Sequence, residues 1–344
     1  MPDASFVRLS DQFADWRNNL FSGERPTLYP VAGQDNPLSK LELGPGRIWV
    51  VGGAPAAGKT ALVMQLVVDA VRLTESLKVL ILNVEMSVES LLDRQLARFS
   101  GVPLTTIRER QFTEDIQERV TVGLDTIQEI AHRLTFCLPP YTLGNVIASA
   151  DAVDADLIVL DYVQRIQPAG DLTTAPDRRG QIDAVMHDCR RIADAGRAVI
   201  VVSSLSRQRN SGGSANYDTA GLASFRESSE LEYGADDCFI LQDAGQGRRK
   251  LKHLKARHSE PRDQMLQFDG SLQRFEPVNP LDSASDGSLD DRSDVSEWWA
   301  LTMRRTPRDC IDTPAGGRRP AAADTASNDD SGAASGVSRD HPPH

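Results

Sequence analysis

The stretch that decides the fold is Val50-Val51-Gly52-Gly53-Ala54-Pro55-Ala56-Ala57-Gly58-Lys59-Thr60. An apolar run at 48–51 leads into it, and a second apolar run at 61–66 follows it. This order predicts a strand, a glycine-bounded loop and then a helix. Four residues separate the two outer glycines, and a lysine and a threonine come directly after the second, which is the spacing of a phosphate-binding loop.

Each residue type in this loop has a physical reason to be there. Consecutive backbone N–H groups at a helix N-terminus form a positive cradle for phosphate oxygens. Lys59 would place a cation on the β- and γ-phosphates, and the Thr60 hydroxyl would bind Mg²⁺. The sequence therefore predicts a site for a nucleoside triphosphate with Mg²⁺, formed by Gly53, Ala54, Pro55, Ala56, Ala57, Gly58, Lys59, Thr60 and Ala61.

Composition sets the broad class of the protein. The 344 residues are 40% hydrophobic and have a net charge of −11, which fits a large α/β domain with appendages. The acidity argues against a protein that coats nucleic acid, but it leaves room for a local basic channel. No stretch is long and apolar enough to predict a membrane span. The four scattered cysteines lack metal-ligand spacing and favour a reduced, cytoplasmic setting.

The chain divides into three predicted regions. Residues 1–46 are interpreted as an N-terminal linker with a short docking helix, capped by Ser10. Residues 47–278 form the predicted core, and residues 279–344 an acidic, mostly disordered tail. The short helix would present one apolar face for docking, formed by Phe13, Trp16, Leu20 and Phe21.

The core alternates between short apolar strands and helical sequence. Continuous apolar strands separated by helices are typical of a buried parallel sheet. Two further runs, at 251–257 and 264–268, flank a turn and predict an antiparallel hairpin. We therefore predict an α/β fold with a mostly parallel sheet, flanked by helices and extended by a C-terminal hairpin. The parallel strands are predicted at 47–52, 79–84, 157–160, 198–202 and 238–241.

The helices of the core are predicted from apolar periodicity. An amphipathic stretch has Ile116, Val120, Leu124, Ile127 and Leu134 on one face. A later helix has a second apolar face, formed by Ile182, Val185, Met186, Cys189 and Ile192. Both faces are expected to pack against the sheet or its neighbouring helices.

Two carboxylates follow strands of the core. Asp161 ends the strand at 157–160, where a carboxylate near a phosphate loop can support Mg²⁺. Glu85 follows the strand at 79–84 and should face the same crevice, because the carboxyl ends of parallel strands lie at one edge of the sheet. Hydrolysis needs a group that activates or orients water, and Glu85 fits that role.

These residues belong to a set of blocks that resembles the C-terminal ATPase domain of DnaB-type replicative helicases, which has a RecA-like fold. The resemblance runs from about Gly46 to Phe275. The blocks are Gly53–Thr60, Val84–Met86, Leu160–Gln164, Ser203–Arg207, Phe225–Ser228, Ala235–Asp236 and Lys255–Arg257.

The resemblance implies a role for each matching residue. Six such domains form a ring on single-stranded DNA in that family, with ATP between neighbours, so the chain is expected to be a homo-hexamer. Glu85 would activate water, while Lys255 and Arg257 would reach the γ-phosphate bound by the adjacent subunit. Gln164 and Ser204 stand at sensor positions, although the family usually has glutamine at the second of them.

The resemblance also implies where DNA would bind. Candidate contacts lie in two loops at the ring centre, at 165–179 and 208–224, and in the block that follows the second loop. We predict DNA contacts from Arg209, Arg226, Glu227 and Ser229, the last of which replaces a usual glycine. The family's N-terminal collar domain is not expected in this chain, which suggests a phage, plasmid or specialised form. An initiator, a loader or a primase is an expected partner.

Two alternatives stay open at this point. The chain could be a RecA- or KaiC-like ATPase that binds DNA or protein without unwinding, which Ser204 and the acidic composition favour. It could also be a nucleotide-gated regulatory protein, in which binding rather than turnover matters. Glu85 speaks against the second alternative, because a pure switch needs no water-activating carboxylate.

Overall fold

A nine-stranded sheet organises the fold, with the strand order β3-β2-β4-β5-β1-β6-β7-β8-β9. The structure is a computed structural model that describes residues 7–169, 177–205 and 230–278. The six strands from β3 to β6 in that order pair in parallel, and β7, β8 and β9 add antiparallel. The strands are β1 Ile48–Gly53, β2 Val79–Asn83, β3 Leu134–Phe136, β4 Leu157–Asp161, β5 Ala198–Ser204, β6 Asp237–Asp243, β7 Arg248–Ala256, β8 Gln264–Asp269 and β9 Arg274–Pro277.

Eight α-helices connect or flank these strands in the part of the chain that the structure describes. They are α1 Leu9–Ser22, α2 Lys59–Leu73, α3 Val88–Ser100, α4 Leu104–Glu109, α5 Glu114–Ile130, α6 Leu143–Val153, α7 Arg178–Asp194 and α8 Glu230–Tyr233. Single 3-10 turns lie at Pro37–Lys40, Ala131–Arg133 and Val163–Arg165. Among the described residues, no helix has the length and apolar character that crossing a membrane requires.

Alternate residues of the strands face two separate layers, because side chains along a strand point to opposite faces. In β1, Trp49 and Val51 pack with α2, while Ile48 and Val50 pack with α6 and α7. Both faces of the parallel strands are therefore buried, which explains their continuous apolar sequence. The predicted apolar face of α7 is confirmed, since all five of its residues are buried.

The predicted parallel strands and the hairpin are confirmed, with small shifts in their bounds. Two strands were not predicted, β3 and β9. The prediction of one amphipathic face over 116–134 is wrong in part, because α5 ends at Ile130 and Leu134 begins β3. Leu124 on that face is 49% exposed, since α5 packs mainly on α3 rather than on the sheet.

The N-terminal region departs from its interpretation in two ways. Ser10 does not cap the first helix: α1 begins at Leu9, with Arg8 at the N-cap and no side-chain capping bond. The stretch 23–46 packs on the core, to which it contributes the buried side chains of Tyr29, Val31, Leu38, Leu41 and Leu43. Helix α1 itself has no buried residue.

Three of the four cysteines lie in described regions and are buried free thiols, namely Cys137, Cys189 and Cys238. Burial raises the pKa of Cys189 and of Cys238 to about 12. Both thiols are therefore neutral and unreactive at physiological pH, as expected for apolar core residues. Cys310 lies outside the described residues.

The ends of the strands form two opposite edges of the sheet. The carboxyl edge is the edge where β1, β2, β4 and β5 end, at Gly53, Asn83, Asp161 and Ser204. The amino edge is the opposite one, where β1 and β6 begin and β7 ends, at Ile48, Asp237 and Ala256. Strand β7 ends at the amino edge because it runs antiparallel to β6.

Candidate functional site

The phosphate-binding loop lies at the carboxyl edge, between β1 and α2. Gly58 is the N-cap of α2, with φ of 99°, a conformation that glycine adopts without strain. A Cβ atom at this position would lie 2.9 Å from Cζ of the buried Phe275. A Cβ at Gly53 would lie 2.8 Å from the Leu241 carbonyl oxygen. Neighbouring atoms thus leave no room for a Cβ atom at Gly53 or Gly58, so both positions require glycine.

The side chain of Lys59 spans the loop. Its ammonium donates to the carbonyl oxygens of Gly53 and Ala54, both at 2.9 Å. Burial lowers the pKa of Lys59, and the Asp161 and Glu85 carboxylates partly oppose that shift. The ammonium therefore lies in the loop that the sequence predicts to bind phosphate, within electrostatic reach of both predicted carboxylates.

Asp161 ends β4 beside the start of α2. Its Oδ2 accepts hydrogen bonds from the Thr60 hydroxyl at 2.7 Å and from the Asn83 amide at 2.8 Å. Burial is the largest cause that raises the pKa of Asp161, and these two donors lower it. Both donors are neutral, so they offset the cost of burying the carboxylate less than a cation in contact would. The convergence of this carboxylate and the Thr60 hydroxyl is a donor set that suits Mg²⁺.

Glu85 lies at the same edge, two residues after β2, and is exposed. The adjacent backbone is fixed by Asn83, whose Oδ1 accepts from the N–H groups of Glu85 at 3.0 Å and Met86 at 2.8 Å. The Asn83 side chain therefore connects two parts of the site: the turn that contains Glu85 and the Asp161 carboxylate. Its role was not predicted, although its place at the end of β2 is readable from the sequence.

The two sensor candidates contact each other. The Gln164 amide donates to the Ser203 hydroxyl at 2.9 Å and to the Ser204 carbonyl at 3.0 Å, and its Oε1 accepts from Ser204 N–H at 3.2 Å. These bonds join the turn after β4 to the end of β5. Ser204 takes part through its backbone, so the serine side chain is not what makes this link.

Lys255 and Arg257 lie at the amino edge, away from the phosphate-binding loop of their own chain. Arg257 Nη1 donates to Asp236 Oδ1 at 2.7 Å. Gly53 pairs with Leu241 of β6, five residues from Asp236, so about 16 Å of strand separate the two groups. The Lys255 ammonium donates to the carbonyls of Glu232, Tyr233 and Ala235, at 2.7, 3.3 and 2.8 Å.

The predicted DNA-contacting residues all lie outside the described ranges. They are Arg209, Arg226, Glu227 and Ser229. Three contacts near the predicted site residues were not foreseen. Arg190 and Arg257 both donate to Asp236, and Arg249 donates to the Ala57 carbonyl of the phosphate-binding loop at 3.3 Å.

A phosphate-binding loop at the carboxyl edge, with carboxylates following two other strands of the same sheet, defines a P-loop nucleotide-binding domain. Strand β5 lies between β1 and β4, so Asp161 reaches Thr60 across one intervening strand. The sequence model of the DnaB-like helicase C terminal domain family matches residues 40–277. The chain belongs to this family.

Relatives of known sequence agree with that assignment. The chain is 22% identical over 280 residues to a "Probable plasmid replicative DNA helicase" of Chlamydia trachomatis, covering 78% of this chain and 58% of the relative. The protein of the same name from Chlamydia muridarum is 23% identical over 279 residues, covering 77% and 59%. The chain thus spans less than two thirds of the length of these curated relatives.

Two solved structures share the fold. One, described as an ATPase domain, superposes with a TM-score of 0.68 at 16% identity, covering 80% of this chain and all of that one. The other is that of a DnaB-like replicative helicase and its interactions with primase. It gives a TM-score of 0.68 at 17% identity, covering 81% of this chain and 69% of the other. These superpositions and the mostly parallel sheet with its C-terminal hairpin confirm the predicted α/β fold.

Proposed function

We propose that this chain is an ATP-dependent DNA helicase or translocase of the DnaB type, which acts in DNA replication. It hydrolyses ATP at the interfaces between copies in a ring on single-stranded DNA. One observation supports the shared site above all. The phosphate-binding loop and carboxylates lie at the carboxyl edge, while Lys255 and Arg257 lie at the amino edge of the same sheet.

The loop residues 53–61 would bind the phosphates of ATP, and Thr60 with Asp161 would hold Mg²⁺. A Mg²⁺ ion held by these two side chains would supply positive charge against the phosphates of ATP. Lys59 would move its ammonium from the carbonyls of Gly53 and Ala54 to the β- and γ-phosphates. This exchange is favourable because the buried ammonium would trade neutral carbonyls for anionic partners.

Glu85 would orient and deprotonate the attacking water. Its carboxylate is exposed at the carboxyl edge, where water has access, and its backbone is held by Asn83. A general base must lie within hydrogen-bond reach of the proton that it takes. Asn83 and Asp161 fix the turn that would set this reach.

Lys255 and Arg257 would act on the nucleotide of the next copy. Cations supplied by a neighbour stabilise the charge of the transferring phosphoryl group. Pairing the amino edge of one copy with the carboxyl edge of the next is a head-to-tail contact, which closes into a ring when the rotation allows. We propose a homo-hexamer on this basis. Gln164, with its bonds to Ser203 and Ser204, would report the nucleotide state to the loop that follows β5.

The proposed partner molecules follow from the family and its structural neighbours. Single-stranded DNA would contact Arg226, Glu227, Ser229 and Arg209 in sequence-independent fashion. A primase is a proposed partner, because one structural neighbour is described with its primase interactions. An initiator or loader is a further proposed partner. Three buried free thiols among the described residues fit a cytoplasmic setting.

The test is the ATPase rate with and without single-stranded DNA over a salt series, followed by strand displacement from a forked duplex. Contacts to phosphates are salt-sensitive, so we expect strong stimulation at low salt that is lost as salt rises. Stimulation without strand displacement would favour the ATPase that binds DNA and does not unwind it. An ATPase rate that ignores DNA at every salt concentration would overturn the proposal.

A further inference from the structure

The ion-pair partner of Arg257 at the amino edge is a buried carboxylate, that of Asp236. Asp236 is 1% exposed and comes just before β6. Its Oδ1 accepts from Arg257 Nη1 at 2.7 Å, and its Oδ2 accepts from Arg190 Nη2 and from the Ile48 N–H, both at 2.8 Å. His258 Nε2 lies 3.9 Å from Oδ1. Asp236 thus joins α7, the start of β1 and the end of the hairpin strand.

The backbone of Asp236 is fixed as firmly as its side chain. Its N–H donates to the Ile48 carbonyl at 2.8 Å, and its carbonyl accepts from Arg257 N–H at 2.9 Å. The carboxylate therefore sits at a defined place between the start of β1 and the end of β7. Its two guanidinium partners differ in exposure, since the side chain of Arg190 is 27% exposed and that of Arg257 is 47% exposed.

Two cations share this one carboxylate. Arg190 Nη2 contacts Oδ2, and Arg257 Nη1 contacts Oδ1. Arg190 also lies 3.7 Å from Asp194, whose side chain is 66% exposed, so that second pairing is weakened by solvent. Because the negative charge of Asp236 is divided between two guanidinium groups, Arg257 is oriented without being neutralised in a closed one-to-one ion pair.

We propose that Arg190 and Asp236 are positioning residues for Arg257, and that Arg190 keeps the Arg257 guanidinium available to a phosphate of the next copy. The inference rests on the proposed function, in which Arg257 acts across a subunit interface. Without Arg190, Asp236 would pair with Arg257 alone, and the Arg257 guanidinium would be less available to a phosphate of the next copy. Without Asp236, the Arg257 side chain would lose its fixed direction.

Arg190 also has a structural role that the test must separate. Its Nη2 donates to the Gly234 carbonyl at 2.8 Å and its Nη1 to the Gly46 carbonyl at 3.4 Å. Removing it will lower stability through lost hydrogen bonds. The neighbouring Arg191 is a matched control, because it is on the same helix, is 73% exposed and pairs with Asp188 at 3.3 Å rather than with Asp236.

The experiment compares Arg190→Gln with Arg191→Gln in the full chain, using ATP turnover and binding of a fluorescent ATP analogue. We expect Arg190→Gln to lower kcat about tenfold or more, since small errors in positioning cost that much. Its KM and analogue affinity should stay near wild-type values, because the phosphate-binding loop of every copy is intact and Arg257 would act mainly on the charge of the transition state. Equal kcat for the two variants would overturn the inference.

Mixing variants tests whether the defect acts across the interface. Arg190→Gln copies keep Glu85, and Glu85→Gln copies keep Arg190 and Arg257, so mixed rings contain some intact interfaces. We expect turnover above the sum of the separate proteins. The same mixture with Arg257→Ala tests the proposed function itself. Rescue with Arg257→Ala but none with Arg190→Gln refutes the positioning role alone, and no rescue with either refutes the shared site.

Arg190→Lys guards against a folding defect in the glutamine variant. Lysine keeps a cation beside Asp236 but lacks the planar fork that also reaches Gly46 and Gly234. The inference expects its kcat to lie between those of wild type and Arg190→Gln, at unchanged analogue affinity. A kcat for Arg190→Lys no higher than that of Arg190→Gln would show that charge at this position does not set the Arg257 position.

Discussion

Two buried aspartates, one from each edge of the sheet, have opposite surroundings. Asp161 at the carboxyl edge is 6% exposed and Asp236 at the amino edge is 1% exposed. Asp161 accepts from a hydroxyl and a side-chain amide, whereas Asp236 accepts from two guanidinium groups and a backbone amide. The first carboxylate is thus held by neutral donors, and the second is shared by two cations.

This difference indicates which chemical role each edge can have. A buried carboxylate held by neutral donors is costly, and burial accordingly raises the pKa of Asp161. Such a group is suited to accept a divalent cation. Asp236 has its cations already, so it orients them rather than binding one. This contrast supports the proposal that one edge receives the nucleotide and the other supplies cations to a neighbouring copy.

The largest expected effect is that of Lys59→Ala at the carboxyl edge. We expect turnover to fall by about 10³-fold or more, because the ammonium would contact the transferring phosphoryl group. The fold should persist, since the ammonium donates to the loop carbonyls of Gly53 and Ala54 and not to a core element. ATPase assays and thermal unfolding measure the two effects. Turnover at the wild-type rate would break the assignment of this edge.

Lys78→Ala is the matched control for that variant. The Lys78 side chain is 47% exposed and pairs at 3.2 Å with Asp154, which is 90% exposed. An exposed pair of this kind contributes little to stability. We expect Lys78→Ala to hydrolyse ATP at the wild-type rate. A loss of turnover as large as that of Lys59→Ala would show that the effect is not specific to the phosphate-binding loop.

At the amino edge, Arg257→Ala should lower turnover by about 10²- to 10³-fold, because an arginine supplied by a neighbour is worth at least that much in comparable enzymes. Nucleotide affinity should change little, because the phosphate-binding loop of each copy stays intact and the arginine would act mainly on the charge of the transition state. Steady-state kinetics measures the change in kcat, and equilibrium binding measures the nucleotide affinity. The control is Arg262→Ala, an exposed residue of the same hairpin, which should leave kcat as it is. A loss of nucleotide affinity as large as the loss of kcat would contradict a role of Arg257 in the transition state.

The smallest expected effect is a change in stability, and it tests the difference between the two aspartates. Asp161→Asn should raise the free energy of unfolding of the nucleotide-free protein by roughly 1 kcal/mol, or about 2–4 °C in Tm. A carboxyl whose pKa is raised in the folded state destabilises the fold once it ionises. The advantage of the variant should therefore be complete above the folded-state pKa of Asp161 and vanish below its unfolded-state pKa. A lower Tm at neutral pH would contradict this account.

The parallel sheet and its carboxyl edge were predictable, and the reasons are local. Strands buried on both faces are continuous apolar runs, and the glycines, Lys59, Thr60 and Asp161 follow those runs directly. Strand β3 was missed because Leu134–Phe136 is three residues long and continues the apolar periodicity of α5. The stretch 23–46 was interpreted as a linker because its prolines dominate the pattern, although Leu38 and Leu43 are fully buried.

The arrangement at the amino edge was not predictable to the same depth. Asp236 lies 46 residues from Arg190 and 188 from Ile48 along the chain, so their meeting depends on the complete sheet order. Local patterns give no signal for such contacts. The roles of Arg209, Arg226, Glu227 and Ser229 stay predictions from family resemblance.

The most direct test of the shared site is the ATPase rate per chain as the protein is diluted, measured together with the oligomeric state by sedimentation. If one copy supplies Glu85 and Asp161 and the next supplies Lys255 and Arg257, the rate per chain will fall to background as assemblies dissociate into monomers. A rate per chain that stays constant when only monomers are present would contradict the account.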